Sequence, residues 1–137
     1  MPDDVFDEFE DRESPINKLT AAIIGAAIEV HNELGPGHPE SAYENAMCIE
    51  LGLRGITFCP QFRINLTYKG RPVGTGRIDL LVEDLVVVEM KAVESLSSLH
   101  SPQVISYLKC TKKKLGLLIN FNVRRLKDGI RRIALSQ

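Results

Sequence analysis

The sequence predicts an α/β protein, and three observations carry that prediction. Two segments with helical apolar spacing open the chain after residue 14. A run of alternating and then continuously apolar strand segments follows them. A further helix then separates this run from the last apolar strand, which gives the order α-α-β-β-β-α-β plus one closing element.

Each element has its own warrant. Ser14-Pro15 ends an acidic leader, and Leu19, Ile23, Ala26, Ala27, Val30 and Leu34 then form a helical stripe that Gly35-Pro36-Gly37 stops. A second helix is predicted from near Pro39 to about Leu53, with Gly55 beyond its end. Residues 62–82 alternate and carry turn glycines, so they read as two strands joined by Lys69–Gly76. Residues 85–93, "LVVVEMKAV", make the next strand. "SSLHSPQVISYLKC" carries a serine cap signal, and Pro102 stands near a first helical turn. "KLGLLINFNV" is a short apolar strand, and "GIRRIAL" is left open between strand and helix. The chain shows no repeat and reads as a single domain over residues 15–137, preceded by a disordered acidic leader, residues 1–14.

Composition narrows the class. A chain of 137 residues with 44% hydrophobic and 26% charged side chains is a globular domain with room for a core. No apolar run reaches the roughly 18–20 residues of a membrane span. Cys48, Cys59 and Cys110 are odd in number and form no CxxC pair, so a cytoplasmic setting is expected, with no disulfide framework or zinc site. The formal charge of −1 conceals an asymmetry. Residues 1–14 hold seven acids and one base, so residues 15–137 carry a net +5. From Lys109 onward there are nine bases and one acid. A basic body favours a polyanionic partner, although a solvated basic surface explains the same charge.

The chemistry concentrates in "RIDLLVEDLVVVEMKAVE", residues 77–94. Asp79, Glu89 and Lys91 sit within two very apolar strands, where an unpaired charge is costly. Glu89 and Lys91, two apart, face one side of their strand. Asp79 opposes Glu89 only if Val82 opposes Val86 around a three-residue loop, Glu83-Asp84-Leu85; a two-residue turn would place Asp79 on the other face. Two carboxylates so placed repel unless a cation lies between them, and a hard divalent ion takes such oxygen ligands. That ion activates water and neutralises phosphate charge, and Lys91 would stand beside the water. The bland alternative is a structural ion pair of Lys91 with Glu89 or Asp79. A Glu-x-Lys tripeptide is expected about once by chance in such a chain and decides little alone.

Gln103 and Tyr107, four apart, share one face of the next helix. The set Asp79, Glu89-Met90-Lys91 and Gln103-x-x-x-Tyr107 resembles the PD-(D/E)XK nuclease superfamily, near its RecB-type branch. "GHPESAY", Gly37 to Tyr43, resembles the motif that names the GxxExxY family within it, as do "EVHNELGPG", "LLVEDLVVVEMKAV" and "GLLINFNVRRLKDGIRRI". The likeness spans about Leu19 to Ile133. It implies a restriction-endonuclease-like core, a central mixed β-sheet flanked by helices. It implies that Asp79, Glu89 and the Met90 carbonyl hold Mg²⁺ or Mn²⁺. Glu40 would be the helix acid that reaches the site, directly or through a water or second metal. Lys91 would position or activate the attacking water, and Gln103 and Tyr107 would hold Lys91 or a substrate phosphate. No proline precedes Asp79, where the sequence reads Arg77-Ile78. The implied function is a metal-dependent nuclease hydrolysing DNA or RNA, with DNA ahead of RNA as partner and no membrane role. The alternative is a non-cleaving nucleic-acid-binding or assembly module with the same fold. A core this small also admits a homo-oligomer or a partner protein.

Lys112, Lys113, Lys114, Arg124 and Arg125 are candidate phosphate contacts, with Arg131 and Arg132 in the same basic stretch. A solvated helix end explains the lysines equally well. Tyr43 lies on the Glu40 face of its helix and reads as core or site. His31 reads as a packed histidine, and His38 and His100 as solvent-facing. With no Trp and 6% aromatics, base stacking is not expected to dominate binding.

Overall fold

A computed structural model describes residues 14–135, and the acidic leader expected over residues 1–14 lies outside them except for Ser14. Two helices come first, α1 (Pro15–Leu34) and α2 (Glu40–Leu53). The Ser14 side chain accepts the Asn17 N–H at 3.3 Å, and Pro15 stands at the start of α1, where its missing N–H costs nothing. Then come β1 (Phe58–Tyr68), β2 (Arg71–Val82) and β3 (Val86–Lys91). Helix α3 (His100–Thr111) leads to β4 (Leu115–Asn120) and β5 (Ile130–Ala134). The open closing element is therefore a strand, entered through a 3-10 turn over Leu126–Gly129.

The five strands lie in the order β1-β2-β3-β4-β5. All neighbours are antiparallel except β3 and β4, whose parallel pairing needs the α3 crossover. This is the mixed sheet flanked by helices that the sequence implies. Helices α1 and α2 cover one face, burying Ile23, Val30, Tyr43, Met47 and Leu51 against Leu80, Val88 and Met90. Helix α3 covers the other, where Val104 and Leu108 meet Leu81, Val87 and Leu118. No helix among the described residues is long and apolar enough to cross a membrane.

Two local expectations change. The β1–β2 turn is not Lys69–Gly76 but Lys69-Gly70 alone, both at positive φ, as a two-residue hairpin turn requires. Gly74 and Gly76 lie inside β2. The serine signal before α3 does not cap it: Leu99 holds the N-cap, and Ser97 accepts the Leu99 N–H and donates its own N–H to His100.

Candidate active site

The hairpin between β2 and β3 has the register that a shared site demands. Val82 opposes Val86, and Glu83-Asp84-Leu85 form a three-residue loop. Glu83 and Asp84 adopt positive φ, and the loop closes with the Leu85 N–H on the Val82 carbonyl at 2.9 Å. Leu85 stays partly exposed in the loop, and Lys113 pairs with Asp84 at 3.1 Å. The regular ladder runs from Val82/Val86 to Leu80/Val88 and stops one pair short of Asp79/Glu89. There, side chains replace it. Asp79 donates its N–H to Glu89 Oε2 at 2.7 Å, and Met90 donates its N–H to Asp79 Oδ2 at 2.8 Å. Each carboxylate thus uses one oxygen to satisfy a buried backbone donor, and this fixes both acids within the sheet.

The other side of Asp79 is interrupted too. β1 pairs with β2 on either side of Gln61, but Gln61 and Asp79 do not pair, and Gln61 has φ 54°. The break inverts the sheet's alternation. Phe58, Leu80 and Val82 pack toward α1 and α2. Phe62, Ile64, Leu66 and Ile78 have the same parity, yet they pack toward α3. A flat strand would keep one parity on one face. Beyond the inversion, the odd-numbered face of the β1–β2 pair carries Arg63, Asn65, Thr75 and Arg77, all exposed.

This inversion opens a cleft of about 510 Å³ lined by Glu40, Arg63, Thr75, Gly76, Arg77, Asp79, Glu89, Lys91, Gln103 and Tyr107. Every side chain expected at the catalytic site lines it. Glu40 begins α2, and the motif around it has a physical reading. Gly37 takes φ 100°, and the Tyr43 hydroxyl donates to the Gly35 carbonyl at 2.6 Å and accepts the His38 N–H at 3.2 Å. Tyr43 is fully buried and stacks on Phe121 with centroids 4.6 Å apart. Tyr43 therefore braces the loop that aims Glu40 and does not line the cleft. His31 is packed as expected, with its Nε2 2.7 Å from the Val123 carbonyl oxygen.

The electrostatics follow from burial. Glu89 is 3% exposed, and burial followed by the Asp79 charge pushes its carboxyl up to about 8. Burial raises Asp79 as well, with Glu40 adding to the rise, while the Met90 N–H, Lys91 and Arg77 pull it down. Glu44 is raised by burial, then by Asp79 and Glu40. Among the described residues, Lys91 makes no ion pair with Asp79 or Glu89, so the structural ion-pair alternative finds no support in the geometry. Burial and then Glu89 raise the Tyr107 hydroxyl, while the Arg77 backbone and the Gln103 side chain pull it down.

Carboxylate oxygens of Glu40, Glu44 and Asp79 lie within 4.8 Å of one another. Oxygen donors in such a set suit a hard divalent cation, which would offset both the burial and the mutual repulsion that raise Asp79 and Glu44. Glu44 escaped the sequence reading, although its spacing of four from Glu40 was the signal that one helix face carries both. Arg63 and Arg77 escaped it too. Of the basic candidates, none of Lys112, Lys113, Lys114, Arg124 and Arg125 lines the cleft. The three lysines precede Leu115, which pairs with Val86, so they stand at the end of β3 away from Lys91. Arg124 and Arg125 are exposed in the loop after β4.

Fold and cleft together define a restriction-endonuclease-like α/β protein, with an acid–lysine site at a break in its sheet. Residues 17–133 match the model of the PD-(D/E)XK nuclease superfamily, and the chain belongs to that superfamily. Among curated proteins, nothing matches the chain. Nucleases of this superfamily generally use divalent metal ions and act on nucleic acid.

Proposed function

We propose that residues 15–137 form one nuclease domain that hydrolyses phosphodiester bonds of DNA or RNA with a divalent cation, Mg²⁺ or Mn²⁺, and that it falls in the GxxExxY family near the RecB-type branch. The observation that carries this reading is the replaced ladder at Asp79 and Glu89, with Lys91 two residues on, opening into a cleft that also holds Glu40 and Glu44. Asp79, Glu89, the Met90 carbonyl and Glu40 are the ligands the motif assigns, and Glu44 joins them by its proximity to Glu40 and Asp79. When bound, such an ion acidifies a water and offsets phosphate charge.

The chain's own groups have separate tasks. Asp79 and Glu89 are held by backbone N–H groups, so their free oxygens are aimed before any ligand arrives. Lys91 keeps its ammonium beside them and steadies the water and the negative phosphate oxygens. The water oxygen forms the new bond to phosphorus and gives up a proton to solvent, the bond to the leaving oxygen breaks, and the leaving oxygen takes a proton back from solvent. Tyr107 and Gln103 flank the phosphate on the α3 side. DNA is the favoured partner, and the odd cysteine count fits a cytoplasmic setting.

The test is cleavage of labelled single- and double-stranded DNA and RNA in Mn²⁺, with Lys91→Ala beside the wild type. The expected result is cleavage by the wild type, lowered about 10²–10⁴-fold in the variant at unchanged melting temperature. Equal cleavage by Lys91→Ala would refute the mechanism. Salt-sensitive binding with no cleavage in any metal would instead favour a non-cleaving module.

A further inference from the structure

The β1–β2 pair outgrows the sheet. β3 pairs with β2 only through Leu80, Leu81 and Val82, whereas β1 and β2 stay paired to Tyr68 and Arg71. The portion from Arg63 to Arg77 is therefore a two-stranded ribbon projecting past the site, about 17 Å from the arginines to the tip. Its even-numbered face is anchored: Ile64, Leu66 and Phe62 pack with α3, and a Cβ on Gly76 would stand 3.1 Å from both Ile64 and Tyr107. As far as the register shift between Leu66 and Thr67, its odd-numbered face is polar and opens onto the cleft through Arg63, Thr75 and Arg77.

The charge on this ribbon is of one sign, with Arg63 and Arg77 on one face and Arg71, opposite Tyr68, on the other. Residues 63–77 contain Arg63, Lys69, Arg71 and Arg77 and no acid. Arg63 and Arg77 are direct register partners, and both line the cleft. Like charges directly opposite each other on one face of a strand pair are unfavourable unless an anion lies between them. Asp79 and Glu44 offset Arg77 from one side, whereas the ribbon beyond carries no acid of its own. At the tip, Tyr68 is 63% exposed with the Lys69 ammonium 5.3 Å from its ring centroid, and Val73 is 65% exposed.

We infer that this ribbon is the nucleic-acid-gripping arm of the protein: Arg63 and Arg77 clamp a backbone phosphate next to the cleft, and Lys69 and Arg71 contact phosphates farther along a duplex. A two-stranded ribbon fits the major groove of a duplex. Its length matches about five base steps along the axis. The role as an arm next to a cleavage site rests on the reading of the cleft as a phosphodiesterase, but binding by the arm does not require turnover.

The experiment is therefore equilibrium binding. A fluorescein-labelled 30-base-pair DNA duplex is titrated with the full chain in EDTA at several salt concentrations. The variants are Arg63→Gln, the pair Lys69→Gln/Arg71→Gln, and the pair Lys112→Gln/Lys114→Gln at the other end of β3. Each lost phosphate contact lowers the slope of log affinity against log salt by about 0.9. The tip pair is expected to lower it by about two and Arg63→Gln by about one, while the lysine pair after α3 changes it least. An unchanged slope in both ribbon variants, a larger change in the Lys112/Lys114 pair, or no duplex binding by the wild type would each overturn the arm. Mn²⁺-dependent melting of the same tip variant separates the two readings. A retained metal shift with an unchanged salt slope rejects the arm and leaves the nuclease reading standing. A lost slope without a metal shift in any form supports the arm and rejects the metal site.

Discussion

The two halves of the β2–β3 hairpin are a few residues apart and obey different rules. In the half nearest the turn, Leu80, Leu81 and Val82 face Val88, Val87 and Val86 through a regular ladder, and all six are buried. In the other half, the ladder gives way to carboxylates, the alternation inverts, and the strand faces a cleft. The first half holds the hairpin by burying apolar surface on both faces of a covered sheet. The second uses that rigidity to hold like charges close together, an arrangement unfavourable on its own. Stability and chemistry are thus divided along one pair of strands.

Breaking this division should give effects that differ in kind. The largest is expected from Glu89→Gln, which keeps the acceptor for the Asp79 N–H but removes the charge. Cleavage should fall about a hundred-fold or more, while the metal-free protein melts no lower than wild type at pH 8. Leu80→Ala, one residue from Asp79 but in the apolar half, should do the reverse. Urea unfolding should show a loss of about 2–5 kcal/mol, with the metal response retained in the folded protein.

Glu44→Gln sharpens the boundary on the helix side. If Glu44 works with Glu40 and Asp79, titration should show Mn²⁺ affinity lowered about 10–100-fold, with only a small change in stability. Unaltered affinity would confine the site to the hairpin and Glu40.

The pH dependence of stability tests the same division without any substitution. Glu89 titrates near 8 in the folded chain and near 4.5 when unfolded. Between those values the folded state keeps a proton that the unfolded state has released. The metal-free protein should therefore lose stability as pH rises from about 4.5 to 8. Asp79, also raised by burial, acts in the same direction. Glu89→Gln should flatten the profile in denaturant melts, and Mn²⁺ should stabilise the wild type more at pH 8 than at pH 5.

Much of the hairpin was legible in the sequence, because period-two alternation ties the Asp79–Glu89 pairing to a single loop length. The mixed sheet was legible from element order and from the resemblance. Gln61 was not: nothing in "CPQFR" announces a positive φ, and the inversion it accompanies depends on packing against two different helices. Arg63 and Arg77 stayed hidden for a related reason. Gly70, Pro72, Gly74 and Gly76 are all turn residues, so a long turn was expected; the two-residue turn by itself would set Arg63 opposite Gly76, and a register shift between Leu66 and Thr67 brings the two arginines opposite each other. Glu44 was visible at helical spacing, but Tyr43 carried the motif. Tyr43 proves to be the buried brace. The lysines after α3 drew notice through charge density, which says nothing about which end of a strand they occupy.

The polar break in the hairpin is proposed as a cation site built into the folded state. The most direct measurement is thermal melting at pH 8 with millimolar Mn²⁺ and with chelator, for the wild type and for Asp79→Asn. A ligand selective for the folded state must stabilise it. A higher melting temperature with Mn²⁺ is expected for the wild type, and none of that rise for Asp79→Asn. A wild type that melts identically with metal and chelator, or an Asp79→Asn protein that keeps the full rise, would contradict the cation site.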